Sequence, residues 1–107
     1  MERADLSIEV RQSPVEAVVT LAGEIDLSTV QRLSKTVNEL LSPAPPRVVL
    51  DLAKVTFCDS QGLGTLVVLS RKASLAQSVL VLINVGEFLQ RVLDITGLRG
   101  ALMIQEG

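Results

Sequence analysis

The amino-acid sequence predicts an α/β fold: one mixed β-sheet covered by helices, with its elements in the order β-β-α-β-α-β-α-β. Three observations carry this. Runs that alternate apolar and polar residues, or that are continuously β-branched, are separated by stretches with apolar residues at helical spacing. The first two strands are joined by a link short enough for an antiparallel hairpin, whereas every later strand follows a helix and so implies a parallel crossover. The chain has 107 residues, which suffices for one modest core, and residues 1–107 read as a single domain.

Taken in order, "LSIEV" (6–10) alternates with a period of two, as a half-buried strand does. Ser13 and Pro14 turn the chain, and "VEAVVTLAG" (15–23) is the second strand, which places the hairpin at one edge of the sheet. Asp26 or Ser28 can cap the helix that follows, whose stripe is Val30, Leu33, Val37, Leu40 and Leu41. "SPAPPR" (42–47) stops that helix, because three prolines in four residues can neither continue it nor pair in a sheet. "VVLDLA" (48–53) is apolar enough for a central strand, with "KVTFC" (54–58) leading on. Leu63, Leu66, Val67 and Ser70 suggest a second helix from Gln61 to about Ala73. "SVLVLIN" (78–84) is a strand covered on both sides. "GEFLQRVLDITG" (86–97) is a third helix, burying Phe88, Leu89, Val92 and Leu93, with Gly97 suited to the left-handed position after its end. "ALMIQ" (101–105) is a last short edge strand.

Composition narrows the functions. Apolar residues make up 48% of the chain, yet only Phe57 and Phe88 are aromatic, so the core must be aliphatic. The mean hydropathy, +0.43, points to doubly buried strands or to apolar surface kept for a partner. Ten basic and twelve acidic residues are scattered, with a net charge of −2, so no nucleic-acid surface is indicated. No apolar stretch is long enough to span a bilayer, the N-terminus lacks the layout of a secretory signal, and the single cysteine forms no internal disulfide. A cytoplasmic location is expected. The chain has no histidine. That removes Ser-His-Asp and Cys-His catalysis and most zinc sites and leaves only uncommon Ser-Lys or carboxylate chemistry, so an enzyme, metal or cofactor is not expected.

Chemistry concentrates in "VTFCDSQGLGTLV" (55–67), a strand-to-helix junction of the kind where open α/β sheets place their sites. Asp59 or Ser60 suits a helix N-cap. Gly62 and Gly64 fall in the first turns of the helix, where each costs up to about 1 kcal/mol relative to Ala. They fit either close approach of another molecule or tight helix–sheet packing. Ser60 does not sit in a nucleophile elbow, because Cys58 stands where Gly-x-Ser-x-Gly needs its first glycine. A phosphate-cradling loop ending in Lys-Ser/Thr is also absent. Ser60 can instead be a substrate: a phosphoryl group there would add roughly −1.5 to −2 charges at a helix N-terminus, beside the repelling Asp59. Cys58 reads as a small buried hydrophobe, and Asp51 as a hydrogen-bonded strand-end carboxylate.

"VVLDLAKVTFCDSQGLG" (48–64) closely resembles the signature of the STAS domain, specifically of the bacterial anti-sigma factor antagonists, in which an apolar strand is followed by Asp-Ser-x-Gly-Leu-Gly. "LAGEIDLSTV" (21–30) is similar to the family's Gly-Glu-Leu/Ile-Asp loop, and "FLQRVLDITGL" (88–98) to its late helix ending in Gly-Leu. The resemblance implies a STAS-like fold in which the C-terminal helix of many members is missing, leaving apolar sheet surface for which a homodimer is one remedy. It also implies a binding switch. The unphosphorylated protein binds an anti-sigma factor that is also a serine kinase, which frees the sigma factor. Phosphorylation of Ser60 breaks the complex and a phosphatase resets it, with neither nucleic acid nor membrane bound directly. The implied docking residues are Glu24, Ile25, Asp26 and Ser28 in one loop, and Asp59, Gln61, Gly62, Leu63 and Gly64 around Ser60. Gln61 stands where Ser, Thr or Ala is common, and "LAQSVLVL" (75–82) lacks the glycine usual before that strand. The alternative is a STAS subunit of a lipid-transport ABC complex, docked on its ATPase without being modified.

Overall fold

Ser13 ends the first apolar run by bonding to Glu16 through its N–H (2.9 Å) and its hydroxyl (3.3 Å), and a hairpin results. The computed structural model describes residues 5–105. In it β1 (Leu6–Gln12) runs antiparallel to β2 (Ala17–Ile25). There follow α1 (Val30–Leu40), β3 (Arg47–Cys58), α2 (Ser60–Leu75), β4 (Val79–Ile83), α3 (Glu87–Thr96), a 3-10 turn over Leu98–Ala101, and β5 (Met103–Gln105). The five strands lie in sequence order, and β2 to β5 are all parallel. The order, the mixed sheet, the edge hairpin and the central third strand are as the sequence predicts.

Because each crossover steps the same way along the sheet, right-handed connections place all three helices on one face. The core confirms it. Val19, Leu21, Val48, Leu50, Leu80 and Leu82 from the sheet pack with Leu33 and Val37 of α1, Leu66 and Leu69 of α2, and Leu89 and Leu93 of α3. Burying each such Leu contributes about 1.5–3 kcal/mol.

β4 is therefore covered by helices on one side only, a correction to the expectation of two. On the other face the register aligns Val18, Val49, Val81 and Met103 across four strands. Val49 and Val81 are nonetheless only 4% and 2% exposed. On the same strand, Arg47 pairs with Glu16 (3.5 Å) and donates to Gln105 Oε1 (2.7 Å), which ties β3 to β5 across β4.

Two further expectations change. The strands shift: β1 runs on to Gln12 and β2 to Ile25, while β5 begins only at Met103, because Leu98–Ala101 is a tight turn. Phe88 is 61% exposed and not on the buried face of α3. Leu89 and Leu93, four apart, define that face, and Phe88 sits about 100° around the helix from Leu89.

Gly97 ends α3 with φ +75°, in the left-handed region where a Cβ is penalised. Nothing lies within 4 Å of a Cβ built there, so the penalty is purely conformational. Gly97→Ala should lower stability by about 1 kcal/mol without changing the fold. Urea unfolding checks this through a lower midpoint at an unchanged slope.

Candidate functional site

The site lies at the carboxyl end of the parallel strands, where β2 leads to α1, β3 to α2 and β4 to α3. Asp59 is its hub. Its backbone is extended (φ −87°, ψ −176°), the geometry of an N-cap, and its Oδ1 accepts from the Gly62 N–H at 2.8 Å. Its Oδ2 accepts from the Leu27 N–H at 3.3 Å, which ties in the β2–α1 loop. Its own N–H donates to the Ile25 carbonyl at 3.1 Å. One residue thus caps α2 and fixes the loop. Ser60, the first helical residue, is exposed and plays no part in the cap.

The β2–α1 loop is held by its own bonds. Asp26 Oδ1 accepts from the Ser28 hydroxyl (2.6 Å) and N–H (2.9 Å), and the hydroxyl bond in particular holds the Asp26 carboxyl below the usual carboxylate range. The Thr29 hydroxyl donates to the Glu24 carbonyl and accepts from the Asp26 N–H, both at 2.9 Å. Neither Asp26 nor Ser28 caps α1 with its side chain, a correction to the sequence reading. Asp26 is spent on its local turn, and the N-cap position belongs to Thr29, whose hydroxyl faces back into the loop.

The expected docking residues divide by burial. Ser28, Ser60, Gln61 and Gly64 are exposed, and Glu24, Asp26 and Asp59 are half-buried. Ile25, Gly62 and Leu63 are buried, and the side chains of Ile25 and Leu63 pack into the core beneath the site. The two glycines separate in the same way. A Cβ on Gly62 would press into the Ile25 backbone, with Ile25 Cγ2 at 2.8 Å and Cys58 Sγ at 3.0 Å. A Cβ on Gly64 meets nothing within 4 Å. Gly62 is required by helix–sheet contact, and Gly64 leaves bare backbone on the surface four residues after Ser60.

Three apolar side chains passed over in the sequence border this region. Leu27 is exposed beside Asp59. Phe57, 43% exposed, and Phe88 line one cleft of about 60 Å³ with Leu52, Cys58, Gly86 and Leu89. The signal was an apolar residue between two polar ones in "DLS" and the placement of both aromatics near helix starts. The three connecting segments (24–29, 55–64 and 84–88) carry Glu24, Asp26, Asp59 and Glu87 and no lysine or arginine. Cys58 is buried beneath them, and burial with the neighbouring Asp59 charge pushes its thiol up to about 11. Asp51 is the hydrogen-bonded carboxylate expected, accepting from Ala53 N–H (3.0 Å) and Asn84 Nδ2 (2.9 Å). Among the described residues no cluster of three metal-ligating side chains occurs, and no helix is long and apolar enough to cross a membrane.

This arrangement, a mixed sheet with its helices on one face, is that of a known family. A family model described as Mlab, STAS domain, matches residues 8–105, and the chain belongs to the STAS domain family. Within it, the chain is 32% identical over 89 residues to an anti-sigma-B factor antagonist of Staphylococcus epidermidis, covering 83% of this chain and 82% of that one. Among solved structures, an anti-sigma factor antagonist from Mycobacterium paratuberculosis superposes with a TM-score of 0.81 at 26% identity, over 94% of this chain and 85% of the other. The phosphorylated form of the Bacillus cell fate determinant SpoIIAA shares the fold, with a TM-score of 0.72 at 19% identity, over 92% and 91% of the two chains.

Gly62→Ala should destabilise the protein by about 1–3 kcal/mol through overpacking. Gly64→Ala should stabilise it by up to about 1 kcal/mol, because only helix propensity changes. Paired denaturant titrations distinguish the two. The raised Cys58 thiol favours folding while it stays protonated, a contribution present below the unfolded value of 9.0 and lost as pH rises towards about 11. Stability of the wild type should therefore fall more steeply over that interval than stability of Cys58→Ala, as melting temperatures across the range will show.

Proposed function

We propose that this protein is an anti-sigma factor antagonist switched at Ser60. In its unmodified state it docks the carboxyl end of its sheet on an anti-sigma factor, so that a sigma factor is released. The anti-sigma factor doubles as an ATP-dependent serine kinase. The Ser60 hydroxyl attacks the terminal phosphorus of ATP, an O–P bond forms as the bond to ADP breaks, and the hydroxyl proton passes to a base on the kinase. A phosphatase returns Ser60 to its unmodified state. The protein works in the cytoplasm, without contacting DNA, RNA or membrane itself and without catalysing a reaction of its own.

The observation that carries this reading is the division of labour between neighbours. Asp59 supplies the cap, so Ser60 is presented outward with its hydroxyl free for chemistry and can be modified without uncapping α2. A phosphoryl group would then add roughly −1.5 to −2 charges next to Asp59, whose carboxylate also holds the Leu27 N–H of the β2–α1 loop. A partner seated there meets concentrated like charge and a bulky hydrated group, which breaks the complex while leaving the fold intact. The relatives named as anti-sigma-B factor antagonists, and SpoIIAA, known in unphosphorylated and phosphorylated forms, support it. The rival reading, an unmodified subunit on the ATPase of a lipid-transport complex, would use the same surface but gives the exposed serine no task.

Incubation with the cognate kinase and ATP should add one phosphoryl mass to the wild type and none to Ser60→Ala. Only the unphosphorylated wild type and Ser60→Ala should then hold the anti-sigma factor in pull-down. An unmodified wild type that also fails to bind any anti-sigma factor would overturn the proposal, and co-purification with a transport ATPase would establish the rival.

A further inference from the structure

β1 is the first strand of the sheet, and its register with β2 is unbroken from Leu6 to Gln12. The Glu24 N–H donates to the Asp5 carbonyl. In an antiparallel ladder this means that odd-numbered residues of β1 exchange hydrogen bonds with β2, and the N–H and C=O groups of Leu6, Ile8, Val10 and Gln12 point outward. The Leu6 carbonyl is taken by the Arg32 guanidinium of α1. The open stretch is therefore Ile8–Gln12, symmetric about Val10.

We propose that two copies of this chain join through this stretch, edge to edge and antiparallel, about a two-fold axis at Val10. Val10 of each copy then exchanges both backbone hydrogen bonds with Val10 of the other, and Ile8 does so with Gln12 of the second copy on either side. The same register sets Glu9 directly opposite Arg11 of the second copy, twice, at the positions where cross-strand side chains come closest. Glu9 and Arg11 are exposed and form no ion pair among the described residues. Val10, 42% exposed as an edge valine, is covered by its own counterpart. A shift of the axis by one residue keeps the outward groups paired but sets Glu9 opposite Glu9, or Arg11 opposite Arg11, so the charge pattern selects the register centred on Val10. At the opposite edge β5 offers only Met103–Gln105, with no charged side chain.

The geometry permits it. The axis stands perpendicular to the sheet, so both helical layers lie on the same side of one continuous sheet. The two Arg32-covered Leu6 positions fall about 27 Å apart along the joined strands, at 3.4 Å per residue, which keeps the α1 helices clear of each other. An interface of five residues a side is small, so the dimer is weak and concentration-dependent. This inference is independent of the proposed function.

Sedimentation of the full chain at concentrations rising into the millimolar range tests it. The wild type should pass from monomer to dimer. Glu9→Arg and Arg11→Glu should each weaken self-association by roughly tenfold or more, because like charges then face each other twice. An equimolar mixture of these two variants should dimerise like the wild type, and so should the double variant Glu9→Arg/Arg11→Glu, in which every pair is opposite again. Circular dichroism confirms that each variant is folded, and the double variant stands in if a single one is not. A wild type that stays monomeric, or a dimer that neither the single variants nor their recombination affects, rejects the β1 edge.

Discussion

The carboxylate of Asp59 is the constraint on which the carboxyl end of this sheet depends. Its two oxygens satisfy the N–H of Gly62 in its own helix and the N–H of Leu27, 32 residues away in a different crossover. Loop and helix are therefore held by a single charged acceptor, and each bond to an ionised group is worth more than a neutral one. The consequence for Ser60 is indirect. Were the serine itself the cap, its phosphorylation would replace the capping hydroxyl by phosphate oxygens, and chemistry at the site would be coupled to the stability of the helix. With the aspartate in that place, the two are separate.

The second ingredient is the overshoot of β3. Its pairing with β2 slips twice, between Thr20 and Ala22 and between Gly23 and Glu24, each time with an extra residue on β3. These irregularities bring Cys58 opposite Ile25, while β4 ends opposite Asp51 and leaves residues 52–58 unpaired on that side. Phe57 and Phe88 border the space so opened. Gly62 completes the arrangement, because only a residue without Cβ lets the first turn of α2 rest on the Ile25 backbone.

Much of this was legible in the residues. The proline cluster after α1, the period-two run at β1 and the apolar runs at β3 and β4 marked element order and sheet position, because burial imposes those patterns directly. The "CDSQGLG" junction marked the turn from β3 into α2, where the candidate site lies. What remained hidden depends on contacts between distant segments. No local rule separates Gly62 from Gly64, since the difference is whether Ile25 lies above the position. Asp26 looks like a cap by type and place, yet a serine two residues on captures it first. Phe88 follows the helical stripe but falls just outside its buried arc, and Arg47 reaches Gln105, 58 residues on, only because the sheet brings β3 and β5 to either side of β4. Ile25 and Leu63 carry the family's motif but serve the core beneath the surface.

The scarcity of aromatic residues has an optical consequence. The chain has no tryptophan and no tyrosine, and its two phenylalanines both line one cleft at the carboxyl end of the sheet. Its near-ultraviolet dichroism thus arises entirely from that cleft, with no contribution from the aliphatic core. The protein carries its own spectroscopic label at one place on its surface, and a change in that cleft is readable without any added probe.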